Sequence, residues 1–244
     1  MKRKTGSGLA CSANQSTWRN PMRRTSLVAA ILALAALPFA AEAGPALSVH
    51  GVAQPAAALS AHPDAGVLYD QSANDSGIGI VSQNFETTFD AYDAQAADDF
   101  TVPAGQVWRV TEIIAIGVYF NGAGLARDEN VTFYKGKKGG RPGKILHQAN
   151  AVMGMDNGLG TFTIKMPWFQ FWPGTYWVSV QANMDFLVGG EWGWENQTTS
   201  EGSPAMWQNP GNGFGTGCTT YTTETTCIPD GEGDHMFVLK GVIR

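Results

Sequence analysis

Residues 108–135 read WRVTEIIAIGVYF, then NGAGLARDE, then NVTFYK. The first run is rich in Val, Ile, Tyr and Phe and short of helix caps, so it reads as a strand. The Asn-Gly-Ala-Gly break at Asn121 to Gly124 is turn chemistry, and the second run alternates in character. The stretch therefore predicts a long core strand that turns and returns as its own neighbour. Similar runs recur at intervals of about ten residues, the spacing of a sandwich or barrel: 67–70, 78–85, 98–102, 107–120, 129–135, 144–149, 160–166, 174–183, 186–195, 205–209 and 235–243. Only Glu86 to Ala97 offers a short helix. The predicted fold class is all-β: a two-sheet antiparallel β-sandwich, jelly-roll-like, with long loops.

Outward from that core, the N-terminal 43 residues carry the three zones of a secretory signal. Arg23 and Arg24 form a basic start, Leu27 to Phe39 an apolar core, and Ala41-Glu42-Ala43 a small-x-small cleavage site. Met22 is a candidate true start. The apolar run of 13 residues is short of the roughly 20 needed to span a bilayer, so no membrane span is expected after cleavage and the product is expected to be secreted or periplasmic. Residues 44–66 are Ala/Pro-rich and read as a linker, leaving 67–244 as the folded domain. Residues 1–43 hold six of the 16 Lys+Arg and one of the 21 Asp+Glu, leaving 10 basic and 20 acidic residues. So acidic a chain, with no basic stripe, repels phosphate backbones and excludes nucleic acid as an expected partner. Cys218 and Cys227 remain as an even pair bracketing TTYTTETT, which predicts a disulfide in an oxidising compartment.

Four stretches carry a resemblance. ADDFTVPAGQVW (Ala97 to Trp108), YFNG (Tyr119 to Gly122), the FYKGKKGGRPG segment (Phe133 to Gly143) and the closing DHMFVLKG (Asp234 to Gly241) resemble a type of secreted bacterial β-sandwich module. The resemblance implies a jelly-roll-like fold related in architecture to carbohydrate-binding modules, often appended to secreted proteases, adhesins or surface-anchored proteins. It supplies no catalytic residues.

The aromatic supply points to a ligand. Trp168, Trp172, Trp177, Trp192, Trp194 and Trp207 are candidate sugar-binding residues, because flat rings stack on sugar C–H faces at little entropic cost. A polysaccharide or cell-surface glycan is the expected partner. A structural or adhesive module with protein partners is the second reading, and it predicts those tryptophans buried. The third is a glycoside hydrolase using Glu191 or Glu195, which alternation places on one wet strand face, with a partner acid from another strand. Four residues along a strand separate them by roughly 13 Å, outside either glycosidase geometry. Asp230, Glu232 and Asp234 alternate in a flexible loop and could supply oxygens to a structural Ca2+; Asp90 to Asp93 and Asp98-Asp99 offer more. His147 and His235 stand alone, and no nucleophile elbow or zinc motif occurs.

Overall fold

The computed structural model describes residues 44–53 and 65–244; the leader expected over 1–43 and residues 54–64 of the expected linker lie outside them. The described strands are β1 (Ser48–His50), β2 (Gly66–Gln71), β3 (Asp75–Val81), β4 (Gln83–Asn84), β5 (Gln95–Val102), β6 (Trp108–Ala115), β7 (Gly117–Phe120), β8 (Asp128–Lys137) and β9 (Arg141–Val152), followed by β10 (Met155–Asp156), β11 (Phe162–Phe171), β12 (Gly174–Asn183), β13 (Glu191–Gln197), β14 (Met206–Gln208), β15 (Thr222–Thr223), β16 (Asp234–His235) and β17 (Phe237–Ile243). Two 3-10 turns joined across a kink at Phe89 occupy Thr87–Tyr92, and single α-helical turns occupy Phe186–Gly189 and Glu224–Cys227. Sheet I runs β1-β3-β13-β16 with β7 on β13; sheet II runs β10-β11-β6-β17-β2; sheet III runs β15-β14-β5-β12-β8-β9 with β4 on β12. Pairing is antiparallel except for β4 on β12. The fold is the expected all-β sandwich.

Sheets I and II are two parts of one bent layer. β6 passes into β7 across Ile116, and β16 into β17 across Met236, and these two breaks are joined by the Ile116 N–H donating to Met236 O at 3.1 Å. Both side chains turn to a small cluster with Ile114 and Val238, away from the main core. Gly117 follows the break because the Trp192 indole fills the space a Cβ would take.

That bend overturns the expected hairpin. β6 lies between β11 and β17, β7 pairs β13, and β8 lies between β12 and β9. The chain from Trp108 to Lys135 thus visits all three sheets instead of folding back on itself. A run of β-formers reports extended backbone, but a one-residue kink leaves its apolar character unbroken. A hairpin forms instead between β8 and β9, closing at Lys137 opposite Arg141 with Gly139 and Gly140 at φ +92° and +59°. Two further boundaries shift. PWFQF, beyond the strand expected over 160–166, belongs to β11, where Pro167 sits in a bulge between Lys165 and Phe169 and costs the ladder little. Phe186–Gly189 is a helical turn, its first N–H donated to the Glu86 carboxylate at 2.7 Å.

Sheets II and III face each other across the main core. Phe100 of β5 sits at its centre, with ring centroids 5.4 Å from Phe171, 5.7 Å from Tyr176, 6.1 Å from Phe133 and 6.3 Å from Trp108. Each such side chain contributes about 1.5–3 kcal/mol when fully removed from water. The linker reading fails for its described N-terminal part. Ser48–His50 pairs with β3 as an edge strand, and the Ala46 N–H donates to both Glu191 carboxylate oxygens at 2.8 and 3.0 Å. Composition hid this, because a short edge strand needs only backbone groups and a few apolar contacts.

Candidate functional site

Burial divides the six candidate tryptophans. Trp177, Trp192, Trp194 and Trp207 are fully buried, which removes them from any ligand platform. Trp192 Nε1 donates to Gly160 O at 2.7 Å, Trp194 Nε1 to Met236 O at 2.8 Å and Trp207 Nε1 to Val81 O at 2.9 Å. Their rings fill the core while their N–H groups tie strands and loops together. Trp177 does point to the outer face of sheet III, as alternation along β12 predicts. There it is covered, packed with Tyr134, Met206, Ala97 and Tyr221. The cover is the Thr-rich loop closed by the Cys218–Cys227 disulfide, whose Tyr221 hydroxyl meets that of Tyr134 at 3.1 Å.

Trp168 and Trp172 are 57% and 60% exposed. They alternate along the chain with Phe169 and Phe171, which pack into the core, so Gln170 shares their outward parity. Arg109, opposite Gln170 in register, lies over the Trp168 ring at 4.6 Å and donates from Nε to Gln170 Oε1 at 3.4 Å. Guanidinium and ring hold each other in place. The outer side of sheet II thus carries a strip of ring, amide with guanidinium, and ring.

A second polar surface lies on the outer face of sheet III. A groove of about 290 Å³ is lined by Asn84, Asp90, Asp93, Gln95, Gln181 and the Pro210-Gly211 turn. Its amides are held by their neighbours. Gln208 Nε2 donates to Gln95 Oε1 at 2.7 Å, Gln181 Nε2 to Ala94 O at 3.0 Å, and Asn84 Nδ2 to Asn183 Oδ1 at 3.0 Å. Asn130 donates to both Gln181 and Asn183, and Asn183 in turn to Asp128. The Phe85 N–H donates to Asp93 Oδ1 at 2.8 Å. Burial raises the Asp93 carboxyl to about 6, against the lowering effect of that hydrogen bond and with help from the charge of Asp90. The wall is fixed by Asn209, whose Nδ2 donates to Ala91 O and Asp93 O, each at 2.8 Å.

The remaining candidates are used inside the fold. Glu191 and Glu195 are buried, not on a wet face, because sheet I is covered on both sides along β13. Burial raises Glu191 to about 7, against the hydrogen bonds from Ala46 and Asn121. Glu195 rises to about 8 through burial, then the charge and hydrogen bond of Asp75. Raised carboxyls often mark catalysis, but here both side chains are fully buried. Asp230 and Glu232 are exposed while Asp234 is buried, accepting the Glu201 N–H, so the three do not converge and do not fit a calcium ion. Among the described residues no three His, Cys, Asp or Glu side chains are grouped to hold a metal. His235, expected to stand alone, is buried: Nε2 lies 2.8 Å from Glu224 Oε2 and its ring stacks on Trp194 at 4.7 Å. Nearby, burial and then the charge of Asp234 hold the Asp98 carboxyl well above the usual carboxylate range. With no solvent access, this network ties β5, β13 and β16 together.

No protein-family model matches the chain, and searches of curated proteins and of solved structures return no match.

Proposed function

We propose that the chain is a secreted, non-catalytic β-sandwich module that binds carbohydrate or a cell-surface polymer through the Trp168–Gln170–Trp172 strip. The observation that carries this reading is the contrast in exposure: two indoles, Trp168 on β11 and Trp172 directly after it, stand more than half in water while four others are fully buried. Leaving such rings in solvent forgoes transfer free energy available to a fold that packs its other rings. Sugar C–H faces would cover the indoles, and Arg109 and Gln170 between them offer donors and acceptors to hydroxyls.

Affinity electrophoresis in gels containing hydroxyethylcellulose, xylan or galactomannan tests this. The protein is expected to be retarded on at least one polymer. Trp168→Ala or Trp172→Ala is expected to weaken retention roughly tenfold, ~1.4 kcal/mol, with an unchanged circular dichroism spectrum. No retardation of the wild type on any polymer would overturn the reading, as would full retention by the double variant. A second reading, an adhesive module with a protein partner, draws support from the exposed loop tip formed by Leu125, Leu187 and Val188. It predicts no retardation on any glycan.

A further inference from the structure

The outer faces of sheets II and III point away from each other, because these sheets share the core built around Phe100. The tryptophan strip occupies one, and the amide-lined groove the other. We infer that the groove of Asn84, Asp90, Asp93, Gln95 and Gln181 is a second sugar site, so that one molecule bridges two polysaccharide strands. This rests on the reading of the first site as glycan-binding.

The chemistry of the groove is that of a hydroxyl-rich, uncharged ligand. A sugar hydroxyl both donates and accepts, and the lining offers both roles within one cavity of about 290 Å³, near the lower end of the range for small-ligand sites. The internal hydrogen bonds consume Asp93 Oδ1 and Gln95 Oε1. That leaves Asp93 Oδ2 and the Asp90 carboxylate to accept, and the Gln95 N–H2 to donate. Gln181, more than nine-tenths buried, forms the floor, with both ends of its amide held by Ala94 O and Asn130. A lining whose rotamers are already fixed loses little entropy when a ligand arrives. The wall is equally rigid: a Cβ at Gly211 would come within 2.6 Å of the Ala91 backbone, so the Pro210-Gly211 turn is seated directly on the Thr87–Tyr92 turn. The strip, with stacking faces, and the groove, with a polar trough, offer one polymer two different modes of contact.

The test uses the full chain, the same three polymers, and two readouts: retardation in gels, and turbidity or viscosity of dilute polymer solution as protein is added. Cross-linking by the wild type is expected to peak at intermediate protein and fall in excess, as a bivalent linker requires. Asp90→Ala/Gln95→Ala removes groove contacts at one exposed and one half-buried position, and its melting temperature checks the fold; Asp93→Asn, which keeps the Phe85 contact, serves as the milder variant. Each is expected to abolish cross-linking while weakening retardation about two- to tenfold, and to abolish the retardation left in Trp168→Ala/Trp172→Ala. If the groove variants cross-link as the wild type does, or if the tryptophan variant alone loses all binding, the second site fails while the first stands. Absence of any wild-type retardation removes both.

Discussion

The outer face of sheet III has two halves, built from the same strands and treated in opposite ways. At one end of β12 and β8, Trp177 and Tyr134 lie under the disulfide-closed loop with Met206 and Tyr221. At the other, Gln181, Asn183 and Asn130 join the amide network beside the open groove. The residue types follow the cover: aromatic where a loop lands, amide where none does. Strand alternation assigns a side chain to a face, and only the loop decides whether that face is dry. The sharpest way to break this contrast is Trp177→Ala set against Trp168→Ala. Cutting away the buried indole is expected to cost about 3–5 kcal/mol, and the exposed one about 0.5 kcal/mol or less, read from urea denaturation midpoints at constant m-value. Equal costs would mean that the covered half is no core.

The loop itself can be released without touching a ring under it. Cys218→Ser/Cys227→Ser removes the staple and is expected to lower stability by roughly 2–3 kcal/mol in the chain-entropy picture. Because Asn209 N–H donates to Cys218 O at 2.8 Å and Asn209 also fixes the groove wall, the effect should reach both halves. Tryptophan emission is expected to shift to the red as water reaches Trp177. An unshifted spectrum would show that the loop holds its place without the bond.

How much of this was legible in the sequence depends on whether the signal was local. The all-β class, the succession of short strands and the Cys218–Cys227 pair were readable, since each follows from neighbours a few residues apart. Trp194 and Trp207 gave no hint of their burial, because what covers them comes from segments such as Met236 and Val81, far away in the chain. The groove was missed for the same reason: Asn84, the Asp93–Gln95 stretch and Gln181 come from three separate segments, and only the clustered aspartates at 90 and 93 drew notice, as possible calcium ligands. The one-residue bends at Ile116 and Met236 left no mark on hydrophobicity at all.

The same contrast between covered and open can be read in protons. Glu195 is fully covered and its carboxyl is raised to about 8, while the half-buried Asp93 reaches about 6. A carboxyl whose folded pKa lies above its unfolded value near 4.5 stays neutral in the fold after the unfolded chain has released its proton. Between about pH 4.5 and 8 the folded state therefore binds more protons, so stability falls as pH rises, by at most ~1.4 kcal/mol per unit for this group, and levels off above the folded pKa. Glu191, raised to about 7, adds in the same direction over a narrower window. The protein is thus expected to unfold at lower urea at pH 8 than at pH 5. Glu195→Gln, which keeps the shape without the ionisation, should remove more of that slope than Asp93→Asn does. A slope that survives Glu195→Gln intact, or a stability that rises from pH 5 to 8, would show that the covered carboxyl is not held neutral by the fold.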